Sequence, residues 1–198
     1  MLRRPIVLAL TGAAALVLAV APALGALVHV RVEGKTQTIF GATQPNAVAT
    51  NALDALEAAS LAGEFYYHVN QSSFGQYVDQ IGLYPGAGSA GWSFKVNNAL
   101  PPVGADKVTL NDGDSVLWYY ADFSSGSGPK TLGLIVTRPG CYRVAAYDDA
   151  GKAAPAPDAV LRVDGRTIKG SFTATCIGPH RGLVRATAPG MVRSNATP

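Results

Sequence analysis

Trp92-Ser93-Phe94-Lys95-Val96-Asn97-Asn98 and Val116-Leu117-Trp118-Tyr119-Tyr120 decide how this chain reads. In the first stretch Trp92, Phe94 and Val96 alternate with Ser93 and Lys95, the period of two that belongs to a strand. In the second, Val116, Trp118 and Tyr120 face one way, Leu117 and Tyr119 the other. Asn97-Asn98 supplies a turn, and Asn111-Asp112-Gly113-Asp114 another just ahead of the second strand. Two aromatic strands with their large rings on one face predict a small sheet, and Phe94 and Trp118 are expected in its core.

Working outward, Leu27 to Glu33 also alternates, with Val28, Val30 and Val32 opposite His29, Arg31 and Glu33. It predicts a half-buried strand that turns at Gly34 and returns over Lys35 to Phe40. Between Asn46 and Leu61 the period changes: Val48, Ala52, Leu56 and Ala59 fall on one helical stripe beside Leu53, and Gly63 stops it. Asp54 and Glu57 suit the early turns, where the helix dipole favours acids. Strands around one helix predict an α+β unit, the helix lying across the sheet.

Ser124-Ser125-Gly126-Ser127-Gly128-Pro129 reads as a linker. Beyond it strands are expected at Thr131–Thr137, Cys141–Tyr147, Ala159–Val163, Ser171–Cys176 and Leu183–Ala188, which predicts a small antiparallel, Ig-like sandwich. The expected organisation is therefore α+β and then all-β: 26–123, a linker over 124–130, and 131–198. Cys141 and Cys176 are the only cysteines. In an exported chain they are expected to pair, closing a loop worth roughly 3–4 kcal/mol to so small a core.

Export is expected from the N-terminus. Arg3 and Arg4 precede an uncharged apolar run from Ile6 to Val20, and Ala21-Pro22-Ala23 and Ala23-Leu24-Gly25 offer small residues for cleavage. Residues 1–25 are read as a signal peptide, with an uncleaved signal anchor as the sole route to membrane attachment. The product is expected to be secreted or held at the cell surface.

Without residues 1–25 the chain carries 14 Lys+Arg against 13 Asp+Glu. That balance disfavours nucleic acid as a partner. It hides an asymmetry, because residues 26–129 have 4 basic and 9 acidic residues and residues 130–198 have 10 and 4. Docking of the acidic half on the basic one is the preferred reading. The other is a basic face, built from Arg138, Arg143, Arg162, Arg166, Lys169, Arg181 and Arg185, that meets an anionic wall polymer.

No catalytic apparatus is expected. Gly86-Ala87-Gly88-Ser89-Ala90-Gly91 spells the dinucleotide fingerprint but runs into a strand instead of a helix, so it is read as a loop. His29, His68 and His180 are scattered, with no zinc spacing. Asn111-Asp112-Gly113-Asp114 lacks the alternating ligands and distal Glu of a calcium loop, and no G-x-S-x-G elbow occurs. The candidate binding surface is Tyr84, Gly86, Gly88, Trp92, Asn97 and Asn98, a glycine-rich loop beside aromatics.

One resemblance joins these motifs. Ala52-Leu53-x-x-Leu56, Phe74-Gly75-Gln76-Tyr77-Val78, Gly91-Trp92-Ser93-Phe94-x-Val96-Asn97, Val103-Gly104-Ala105 and Leu110-Asn111-Asp112-Gly113-Asp114 follow in order. From Ala52 to Phe123 the chain resembles the C-terminal β-domain of transcobalamin and intrinsic factor, and more closely a bacterial family of unknown function classified with it. The resemblance implies a β-grasp-like fold, an exported setting, and cobalamin as a ligand taken partly through the stretch from Trp92 to Ala99. The α-helical domain that forms the far side of the corrinoid cleft has no counterpart in these 198 residues. The function expected is a binding module of the cell envelope for a small ligand such as a corrinoid, or else a structural or adhesive protein for an envelope protein or polymer.

Overall fold

A computed structural model describes residues 25–72 and 75–198; the expected signal peptide therefore lies, but for Gly25, outside the described residues. The first half contains β1 (Ala26–Glu33), β2 (Thr38–Phe40), β3 (Asn46–Ala49), helix α1 (Ala52–Gly63), β4 (Tyr67–Ser72), β5 (Gly75–Ile81), β6 (Tyr84–Pro85), β7 (Ala90–Val96) and β8 (Ser115–Asp122). The main sheet has the order β2-β1-β8-β7, with β3 also paired to β1. β1 and β8 run parallel and the other pairs antiparallel. β4, β5 and β6 form a separate small sheet.

Alternation explains the core. Val28, Val30, Val32, Val116 and Trp118 point to one face of the sheet and meet Ala52, Ala55, Leu56 and Ala59 of α1. Phe94 stacks on Trp118 with ring centroids 5.1 Å apart, and the Trp118 indole donates to the Ala52 carbonyl at 3.1 Å. Trp92 and Trp118 thus lie in one sheet, on strands joined in register at Trp92–Tyr120 and Phe94–Trp118.

The helix starts later than its apolar period suggested. Asn46–Ala49 pairs with β1 instead, which leaves Val48 63% exposed. The reason is local. Asn51 has an extended backbone, and its side chain accepts from the amides of Leu53 and Asp54 at 3.0 and 2.9 Å. That N-cap fixes the first turn. Asn51→Ala is expected to cost about 1 kcal/mol in urea unfolding.

The second half is all strand: β9 (Thr131–Arg138), β10 (Cys141–Tyr147), β11 (Ala153–Ala154), β12 (Val160–Val163), β13 (Arg166–Lys169), β14 (Thr175–Cys176), β15 (Val184–Thr187) and β16 (Ala196–Thr197). Two four-stranded sheets, β9 with β10, β11 and β14, and β13-β12-β15-β16, share one core around Leu132, Tyr142, Val144, Leu161, Val184 and Ala186. A disulfide joins Cys141 to Cys176 between β10 and β14. Only Thr175 and Cys176 of the expected strand over 171–176 form a strand; β12 pairs with β15 and with β13, which returns directly after Asp164-Gly165.

The halves dock, and this corrects one expectation. Alternation predicts Arg31 and Glu33 on the open face of a half-buried strand, yet they are 4% and 1% exposed. The second half covers the reverse face of the main sheet, where Leu117, Tyr119 and Ala121 pack with Val192. Lys95, fully buried, donates to the carbonyls of Tyr147 and Asp148 at 3.3 and 2.8 Å and pairs with Asp149 at 3.2 Å. Burial holds its ammonium pKa below the usual value. Glu33 faces Arg31, Arg185 and Arg193 together. No helix among the described residues is long and apolar enough to cross a membrane.

Candidate functional site

The aromatic face of β7 and β8 is not filled by the helix along its whole length. Where α1 ends its cover, Leu53, Tyr77, Trp92, Phe94, Ala105 and Trp118 surround a cavity of about 170 Å³. Several segments build it, α1 with Leu53 and β4 with Val69 among them. β7 and β8 supply Trp92, Phe94 and Trp118; β5 crosses alongside with Tyr77 and Val78; the turn Ala105–Lys107 closes the third side with Ala105 and Asp106. Phe94 and Trp118 are 8% and 2% exposed, so they are core and cavity floor at once. Tyr77, 49% exposed, stands at the mouth.

A shallower opening of about 450 Å³ adjoins it, sharing Tyr77, Val78 and Trp92 and bounded by Gly86 to Gly91. That glycine stretch is a tight hairpin. Ala87 and Ala90 exchange both backbone hydrogen bonds, at 2.9 and 3.0 Å, and Gly88 takes a φ of +60° in the turn. It enters β7, a strand, so the helix N-terminus that a dinucleotide phosphate needs is missing at this place.

The expected surface divides accordingly. Gly86, Gly88 and Trp92 share the second opening. Tyr84 is turned elsewhere: its hydroxyl meets Thr36 Oγ1 at 2.9 Å and its ring packs near Tyr120, while its carbonyl accepts from the Trp92 indole at 2.8 Å. Tyr84 therefore holds Trp92 in place from behind. Asn97 and Asn98 stand at the far end of β7, about 16 Å along the strand from Trp92. Both have positive φ in a two-residue hairpin, and Asn97 is spent on Asp114 at 2.7 Å and the Ser115 amide at 2.9 Å. The structure does not bring them to the cavity.

Leu53, Gln76, Tyr77, Ala105 and Asp106 line the cavity but escaped the sequence-based choice of site. For all but Asp106 the signal lies in fragments of the resemblance, which include Leu53, Gln76-Tyr77 and Gly104-Ala105. What the sequence could not supply was that these separated segments meet. Among the described residues no group of three His, Cys, Asp or Glu side chains is placed to hold a metal ion.

Residues 49–122 match a family described as a domain of unknown function (DUF4430). The matched segment nearly coincides with the stretch from Ala52 to Phe123, and it includes every residue that lines the cavity. The match is to a domain of unknown function and does not itself show a likeness to transcobalamin. A crystal structure from Ruminococcus gnavus named "putative metal binding protein" is similar over 49% of this chain and 97% of its own, at 14% identity and a TM-score of 0.36. Likeness at that level carries no functional weight. A search of curated proteins found no match.

Proposed function

We propose that this chain is a non-enzymatic binding module working outside the cytoplasm, which takes one ring-sized group into the cavity between Trp92, Trp118 and Tyr77. The observation that carries the reading is the cavity itself. The cleft opens to solvent past Tyr77 and is lined mainly by apolar and aromatic side chains, the ordinary character of a small-molecule site. Here about 170 Å³ stays open beside two tryptophans. That is close to the roughly 150 Å³ that receives a benzene molecule in an engineered cavity, and below the roughly 300 Å³ at which drug-sized sites begin. The disulfide and the signal-like N-terminus support export. We read the first half as β-grasp-like and the second as an Ig-like sandwich that serves as its buttress.

Cobalamin, the ligand implied by the resemblance, fits this reading less well. The cavity admits one ring and not a corrin, so a corrinoid would have to lie across the mouth. Adhesion to an anionic wall polymer is the second reading. Arg185, one of its seven cations, is occupied by Glu33 at the interface, which leaves six for that role.

Trp92 and Trp118 are the only tryptophans in the chain and both line the cavity, so intrinsic fluorescence reports on it directly. Titration with cyclohexanol, a non-absorbing single ring, is expected to give a saturable change that Ala105→Trp, by filling the space, removes as judged by calorimetry. A flat calorimetric and fluorescence response in the parent protein would sink the reading that the cavity takes a neutral ring. Equilibrium dialysis against cobalamin decides the corrinoid version, and salt-reversible pelleting with cell walls the polymer version.

A further inference from the structure

We infer that the cavity's ligand is a small organic ammonium ion, an inference that rests on the binding reading above and adds a charge to it. Tyr77, Trp92, Phe94 and Trp118 line the cavity, and the one charged side chain among its walls is Asp106. The adjoining opening likewise has a single charged residue, Asp79. No Lys or Arg lines either. Aromatic walls attract cations through the negative potential of their ring faces, most strongly when water is excluded. A neutral apolar ligand would gain nothing from carboxylates at the rim. A hard divalent cation would need six or more oxygen ligands and finds one carboxylate amid hydrocarbon. An alkylammonium ion matches both the aromatic surface and the acid.

The placement of Asp106 depends on its neighbour. A Cβ on Gly104 would lie 2.8 Å from Asp106 Oδ1, so glycine is what lets the carboxylate fold against the chain beside the cavity. Its partner is Lys107 at 2.8 Å, whose side chain is 72% exposed. Such a surface pair contributes little and is readily exchanged for another cation.

The surrounding field points the same way. Of the four Lys and Arg residues in 26–129, Arg31 and Lys95 are buried against the second half. Lys35 and Lys107 remain exposed against eight acids other than Glu33. Docking therefore leaves two exposed cations against eight acids on the cavity-bearing half, an attraction local to that half because the docked basic half brings the whole chain beyond residue 25 close to neutrality.

Choline and 3,3-dimethylbutan-1-ol test the charge, since a carbon replaces the ammonium nitrogen at the same shape. Followed by tryptophan fluorescence and calorimetry at low salt, choline is expected to bind at least about tenfold more tightly. Asp106→Asn, checked for an unchanged melting curve, should reduce the preference several-fold. Should that variant fail to fold, sodium chloride provides the second measurement: it should weaken choline and leave the alcohol unaffected. Equal affinity for the two compounds overturns the charge while leaving a cavity for apolar groups. Binding of neither overturns both readings.

Discussion

Glu33→Ala is expected to lower the stability of the protein by about 3–5 kcal/mol, the cost of breaking a buried ion pair by removing one partner. Glu33 is 1% exposed. Its carboxylate receives Arg31 Nη1 at 3.0 Å, Arg193 Nε at 3.0 Å, the Thr38 hydroxyl at 3.0 Å, and Arg185. Without it three guanidiniums face one another across the interface between the halves. Arg31 is already strained in this sense: burial, with the neighbouring guanidiniums, lowers its pKa to about 10 against the opposing pull of Glu33. Glu33→Gln keeps the shape and removes the charge, and nearly the same loss is expected from it. Because the cluster is buried, added salt should recover little. Urea unfolding measures the loss, and proteolysis within 124–130 should accelerate as the halves part. A loss under about 1 kcal/mol in both variants would mean that the apolar contact of Val192 with Tyr119 holds the halves without the charges.

The charge asymmetry of the sequence foretold docking but not its form. Opposite net charges suggest attraction between surfaces, whereas the observed contact is one acid from the acidic half threaded among arginines from both. Alternation alone places Arg31 and Glu33 away from Val30 and Val32; it cannot say whether that second face meets water or protein. Period and turn signals were reliable where the partner lay close in sequence. Strand β7 falls at its expected position because it carries its own sequence alternation, and β10 falls over Cys141–Tyr147 as expected. They failed where a neighbour overrode them. Ala47-Val48-Ala49 continues the helical stripe in composition, yet its backbone is claimed by β1. Asp164-Gly165 is a turn dipeptide between Val163 and Arg166, and the hairpin rule that goes with Asp-Gly requires the return strand at once. Asp164 and Gly165 do take positive φ, and Arg166–Lys169 follows as β13.

The candidate site was half legible for a related reason. Trp92 was found because an aromatic on an alternating strand is conspicuous. Asp106 was not, because a lone acid in a turn resembles any other until Gly104 and Tyr77 are seen beside it. Asn97 and Asn98 attracted notice as polar residues near aromatics; their true demand is conformational, since Asn tolerates the positive φ that a two-residue hairpin imposes.

Replacing Cys141 and Cys176 together by Ala is expected to cost about 3–4 kcal/mol, because the bridge closes 35 residues of the unfolded chain. The informative question is where that loss registers. Both tryptophans belong to the first half and both cysteines to the second, so fluorescence follows a body that the disulfide does not touch. If the halves unfolded separately, the tryptophan transition would stay where it is while circular dichroism of the second half moved. The buried cluster around Glu33, the clamp of Lys95 on Tyr147 and Asp148, and the packing of Val192 under Tyr119 argue for a single cooperative transition. The tryptophan midpoint should therefore fall in the double variant by the amount the disulfide contributes. Adding Glu33→Ala to it should then uncouple the two signals, the fluorescence becoming indifferent to the bridge. A tryptophan transition that ignores the cysteine substitutions with Glu33 intact would show that the interface does not join the halves into one folding unit, and that the cluster is a contact between independently stable bodies.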